Sequence, residues 1–257
     1  MNKKILIALN VLALAGVLVI NALAITLPIN GMSTGDISEL YPSLFTPAGF
    51  TFSVWSLLYS LLIGFVVYQW KIMNKVFFVE LSCWFLVSCT ANLSWILAWH
   101  YLLPLASVVI MLVLLFSLTR IFLLLQKQNL VSVGEKIFVK LPFTFYLSWI
   151  CVATIANISA LLVYWEWSGS VLTPTQWTMT LISVATVLGI IVSVRFREPA
   201  FLLILIWALF GIYSKWSSTE NAPIAITAVA ELILLSVVFV TLGIRSIRIN
   251  DKLHLKT

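Results

Sequence analysis

Apolar residues run along this chain in blocks of about 20, broken by short polar or proline-bearing segments. A hydrocarbon core of about 30 Å takes about 20 helical residues to cross, so each block predicts a membrane-spanning helix. The blocks give eight spans, at 5–25, 47–70, 76–99, 104–125, 137–163, 176–194, 199–214 and 223–244. Pro47, Pro104, Pro199 and Pro223 sit at span starts, where a missing N–H does little harm. Pro142 falls in the first turns of the fifth span, where it predicts loosened backbone bonding. The first span also has features of a signal peptide, with Lys3 and Lys4 ahead of it and Ala22-Leu23-Ala24 near its end. Its length favours a retained helix.

Composition agrees with the blocks. The 257 residues are 62% hydrophobic and only 9% charged, with a mean hydropathy of +1.10. A soluble domain is about 25% charged. Fifteen Lys and Arg with nine Asp and Glu are too few to coat a water-soluble fold of this size. This excludes a soluble enzyme, a nucleic-acid binder and a disordered chain. The fold class is all-α, a polytopic helical membrane bundle. The three cysteines, Cys83, Cys89 and Cys151, lie in apolar blocks and read as small core residues.

The net charge of +6 matters through its placement. Threaded through eight spans with the N-terminus inside, every Lys and Arg except Lys215 falls on the inner side. This predicts both termini in the cytoplasm; a bacterial plasma membrane is the expected setting. The basic tail from Arg245 to Lys256 is expected on anionic lipid heads. The longest outer loop, 26–46, carries Asp36 and Glu39 with no basic residue. Its prolines and glycines make regular helix unfavourable through most of it. A long loop in a tightly connected protein suits a lid or a plain connector.

Eleven tryptophans divide by position. Trp70, Trp99, Trp165, Trp167, Trp177 and Trp216 fall at span ends and read as an interfacial belt. Trp55, Trp84, Trp95, Trp149 and Trp207 lie inside spans. At 1.5 Å per residue, Trp55 and Tyr59 lie roughly 12 and 18 Å below the outer end, Asn92 and Trp95 roughly 10 and 6 Å, and Trp149 and Asn157 roughly 21 and 9 Å. Trp55 and Tyr59 are spaced i,i+4, Asn92 and Trp95 i,i+3, and Trp149, Ala153 and Asn157 form one stripe. An asparagine in hydrocarbon needs a partner, either another helix or a ligand. Glu231, near the middle of the eighth span, is a candidate for proton coupling or for a simple hydrogen bond. Glu80, Arg120 and Lys140 predict a structural ion pair. His100 and His254 lack companions for a metal site or a catalytic triad.

Three segments in order resemble the TspO/MBR family of tryptophan-rich sensory and translocator proteins. TPAGFTFSVWSLLY (46–59) is similar to its second-helix entry through Val54, Trp55, Leu58 and Tyr59. ANLSW (91–95) is similar to its Leu-Asn-x-x-Trp motif through Asn92 and Trp95. PFTFYLSWICVATIANISA (142–160) is similar to its fifth-helix motif through Trp149, Ala153 and Asn157. The proline-rich entry survives only as Thr46-Pro47-Ala48-Gly49, and Ser56 stands where the family has Thr.

The resemblance covers about residues 5–163. It implies a five-helix core with loop 26–46 over a ligand cavity; the three additional spans and basic tail over 164–257 lie outside that core. It also implies a hydrophobic aromatic or tetrapyrrole-like ligand, porphyrin or haem among them, with no cofactor required and homodimer formation known in the family. The expected ligand residues are Trp55, Tyr59, Asn92, Trp95, Trp149 and Asn157. Loop 26–46 would close over them. Two other readings stand beside this one: a proton-coupled transporter using Glu231, and a membrane enzyme degrading its porphyrin-like ligand.

Overall fold

A computed structural model describes the backbone of residues 2–27, 29–167 and 171–254, with side chains to residue 245. The basic tail assigned to lipid heads lies, beyond Arg245, outside the described side chains. The helices are α1 (Lys3–Thr26), α2 (Thr34–Leu40), α3 (Val54–Ile72), α4 (Phe78–His100), α5 (Pro104–Gln126), α6 (Val133–Tyr164), α7 (Pro174–Phe196), α8 (Ala200–Trp216) and α9 (Ala222–His254). Seven of them are long and apolar enough to cross a bilayer, and the apolar α8 is shorter. They match the eight blocks of the sequence. The extra helix, α2, lies within the long loop.

The ends of the helices follow local chemistry. Pro104 opens α5, and Pro174 opens α7 behind a Thr173–Gln176 capping box. Leu102, Glu166 and Arg197 close α4, α6 and α7 in the left-handed region, at φ of 54°, 53° and 55°. Around Pro142, α6 starts irregularly, as the sequence predicts. Residues Lys136–Lys140 form a π-helical stretch, and the Leu141 N–H reaches back to the Lys136 carbonyl. The wider turn lets the chain pass a proline that has no N–H to give.

The chain divides into two compact units. One comprises 1–46 and 52–167, and the other 47–51 and 168–257. In the first, α4 packs against α5, α5 against α6, and α1 against α4, with α3 against α1 and α6. Its core includes Phe65, Phe85 and Phe143, whose rings meet edge to face. Glu80 pairs with Arg120 at 3.3 Å, as expected for a structural ion pair. Both side chains are about half exposed, which makes the pair a weak one. A second pair, Lys75 with Glu135 at 3.2 Å, joins the turn before α4 to the capping box that opens α6. Cys83, Cys89 and Cys151 are free thiols.

In the second unit, α9 packs on α8 and α7. The segment 47–51 lies against α8. The Ala48 N–H donates to the Gly211 carbonyl at 3.1 Å. The Trp207 indole donates to the Thr51 carbonyl at 2.9 Å. Phe50 meets the rings of Trp207 and Phe210 edge-on. The start of the second span is therefore a 3-10 turn, Gly49–Ser53, ahead of the α-helix at Val54.

Candidate functional site

The aromatic and amide residues of the first unit form two groups. The first is built on α3 and α6. Trp55 and Tyr59, one turn apart, stack with centroids 5.3 Å apart and planes at 22°. Trp149 stands edge-on to Trp55 at 6.2 Å and to Phe52 at 6.0 Å. Tyr146 completes the group, edge-on to Trp55 at 5.9 Å. Edge-to-face contacts of this kind fix ring orientation as well as burying area. Trp149 is 2% exposed, and its indole N–H has no hydrogen-bond partner among the described residues.

A polar chain crosses behind these rings. The Asn21 amide donates to Asn92 Oδ1 at 3.0 Å, and the Asn92 amide donates to the Tyr146 hydroxyl at 2.9 Å. It links α1, α4 and α6. Asn92 is thus committed to neighbouring helices, and the Tyr59 hydroxyl is buried in the same region.

The second group lies at the end of the unit that carries α2. Asn157 and Ser107 share two contacts, the shorter being the Asn157 amide donating to Ser107 Oγ at 2.9 Å. The Trp95 indole donates to Asn157 Oδ1 at 3.3 Å. Trp95 stacks on Trp99 at 5.9 Å and 16°. Tyr41 touches both Trp99 and Tyr164. The six predicted residues therefore separate: Trp55, Tyr59, Asn92 and Trp149 share one group, and Trp95 and Asn157 form the other. Along the stripe, Trp149 packs with Phe52 and Trp55, and Asn157 bonds to Ser107 and Trp95.

Above the second group sits α2. Ser33 and Asp36 make a reciprocal cap, with the Ser33 N–H donating to Asp36 Oδ2 at 2.8 Å. Those bonds, the backbone one foremost, hold the Asp36 carboxyl below its usual value. Ile37, fully buried, packs with Trp99 and Ala160.

One expectation needs correction here. Its helix-end position predicts Trp99 in the interfacial belt, yet it is 6% exposed, because α2 folds over it and its indole donates to the Thr34 carbonyl at 3.3 Å. His100, the last residue of α4, is fully buried and anchors the loop. Its Nδ1 donates to the Ile29 carbonyl at 3.0 Å, so in the neutral ring Nε2 accepts from the Thr34 hydroxyl, also at 3.0 Å. Asn30 donates to the His100 carbonyl at 3.0 Å.

Trp70, Trp165 and Trp167 do present exposed rings at helix ends, as a belt requires. Sequence reasoning missed Asn21, Tyr146 and Ser107 as partners. A polar residue inside the apolar first block marked Asn21, whereas nothing local marked the other two.

In the second unit, Glu231 accepts a hydrogen bond from Ser183 at 3.0 Å, which joins α9 to α7. This is the simple hydrogen bond that the sequence allowed for.

No curated protein and no solved structure matches this chain. A family model described as TSPO-like protein matches residues 6–241. The match runs past the five spans that carry the three motifs and takes in the last three as well. With nearly the entire length matched and an all-helical bundle of apolar spans, the chain belongs to the TSPO-like protein family, a family of integral membrane proteins.

Proposed function

We propose that this TSPO-like membrane protein binds a hydrophobic, planar aromatic molecule of the porphyrin or haem kind, in a sensory or transport-related role. The rings of Trp55, Tyr59 and Trp149 would hold its faces. Asn92 acts through Tyr146 as a positioning residue, and Trp95 and Asn157 support the end beneath α2. One observation carries this reading: the Trp149 N–H is a buried donor without a partner among the described residues, set among rings. Buried donors are nearly always satisfied, and an acceptor atom on a bound aromatic molecule would satisfy this one.

A titration with protoporphyrin, followed through porphyrin absorbance and tryptophan quenching, tests it. Trp149→Phe keeps the ring and removes the donor. Its dissociation constant should rise about tenfold, the equivalent of roughly 1.4 kcal/mol for one buried hydrogen bond. Unchanged affinity in both Trp149→Phe and Trp95→Phe would remove the site from consideration.

We also propose that both termini face the cytoplasm of a bacterial cell. Support comes from the basic residues, all but Lys215 falling on one side of eight spans. A C-terminal fluorescent-protein fusion should glow, and alkaline phosphatase fused after Tyr41 should be active. The opposite pair of results would invert the topology.

A further inference from the structure

Asn10 on α1 and Gln69 on α3 are both fully buried. A single bond joins them, from Asn10 Nδ2 to Gln69 Oε1 at 2.9 Å. It leaves Asn10 Oδ1 and Gln69 Nε2 buried without a partner among the described residues. Exchanging oxygen and nitrogen in both amides preserves one bond and again leaves one donor and one acceptor. Exchanging them in one amide sets like against like. The remainder is therefore the same whichever way the amides are assigned.

A third buried group without a partner lies at this height. Ser82, on α4, is fully buried and its hydroxyl has no partner among the described residues. Helices α1 and α4 run parallel, tied by Asn21–Asn92 and, at their C-terminal ends, by His100 to Ile29. Asn10 precedes Asn21 by 11 residues, and Ser82 precedes Asn92 by 10. At 1.5 Å per residue, Asn10 and Ser82 lie within about 2 Å of the same level.

We propose that one ordered water is bound between α1, α3 and α4. It accepts from Gln69 Nε2, donates to Asn10 Oδ1, and has the Ser82 hydroxyl as its third partner. Buried waters make about three hydrogen bonds to groups left over by the protein, and this set provides three. The set carries no charge and presents both a donor and an acceptor. A neutral molecule with both functions fits it, and an ion does not. The water makes the α1–α3 contact a hydrated joint, separate from the aromatic groups and independent of any ligand they hold.

The test uses the full chain in nanodiscs, with glutamine side-chain amides labelled with ¹⁵N. The Gln69 signal is identified by its loss in Gln69→Glu. Selective excitation of water should give a direct cross-peak to the Gln69 amide in the wild type. Asn10→Leu should abolish that peak, and Ser82→Ala should weaken it at least twofold. A resolved Gln69 amide in folded wild-type protein that shows no water cross-peak would overturn the proposal. So would cross-peaks to lipid acyl protons in place of water. The wild-type spectrum decides the matter even if a variant fails to fold.

Discussion

Gly211→Leu should lower the stability of the protein by about 3 kcal/mol, the upper range for forcing extra atoms into a packed site. The reason lies in how segment 47–51 meets α8. A Cβ at position 211 would overlap the Thr51 hydroxyl and lie 2.9 Å from both Thr51 Cβ and Cγ2. Thr51 is fully buried and is held in place through its backbone. Its carbonyl takes the Trp207 N–H, and its own N–H donates to Ala48, which is itself bonded to Gly211. The branched side chain cannot rotate out of contact, because its Cβ is itself too close.

Gly211→Ala should therefore also destabilise, by about 2 kcal/mol. In a Thr51→Gly background the same change should cost less than about 1 kcal/mol, because the obstructing atoms are gone. Unfolding in detergent, followed by tryptophan fluorescence, reads all four corners of the cycle. Equal losses with and without Thr51 would show that the glycine matters for some other reason.

This contact also shows where sequence reading stops. The bilayer imposes length and apolarity on every span, so the spans were legible from runs of apolar residues and from prolines at their starts. The α-helix of the second span nevertheless begins at Val54, seven residues after Pro47. Ala48 and Thr51 bond to residues of α8 more than 150 positions away in the chain, and no local rule encodes that. The loop gives a milder case. Pro28, Gly31 and Gly35 argued against helix, while the Ser33-x-x-Asp36 cap that starts α2 was present in the sequence and outweighed by them.

The candidate site was legible to the same depth. Helical spacing alone put Trp55 over Tyr59, and the two rings do stack. Hydrocarbon physics required partners for Asn92 and Asn157 without naming them. Those partners are Asn21, Tyr146, Ser107 and Trp95, at separations of 50 to 71 residues. Tertiary packing chose among many polar side chains at similar depth. It also buried Trp99, whose place at a helix end suggests an interfacial ring, and His100 beside it.

Asn92→Leu is expected to have the second largest effect, a loss of about 2 kcal/mol. Asn92 is the middle member of the Asn21–Asn92–Tyr146 chain, so its removal breaks two interhelical bonds at once. Single interhelical bonds in membrane proteins average about 0.6 kcal/mol and reach about 1.7. Breaking two and stranding a buried hydroxyl raises the sum toward the upper figure and past it. The two ends of the chain differ. Asn21 keeps a bond to the Val17 carbonyl at 2.8 Å, whereas Tyr146 is 3% exposed and loses its Asn92 donor. Tyr146→Phe should therefore relieve part of the damage, and the double variant should lose at least 0.5 kcal/mol less than the sum of the single ones. Asn21→Ala should give no such relief. The same variants separate structure from binding. If Asn92 positions Tyr146 against Trp55, porphyrin affinity should fall in Asn92→Leu and also in Tyr146→Phe, the latter with most of the stability retained. Affinity that falls only in step with stability would leave Asn92 a purely structural joint.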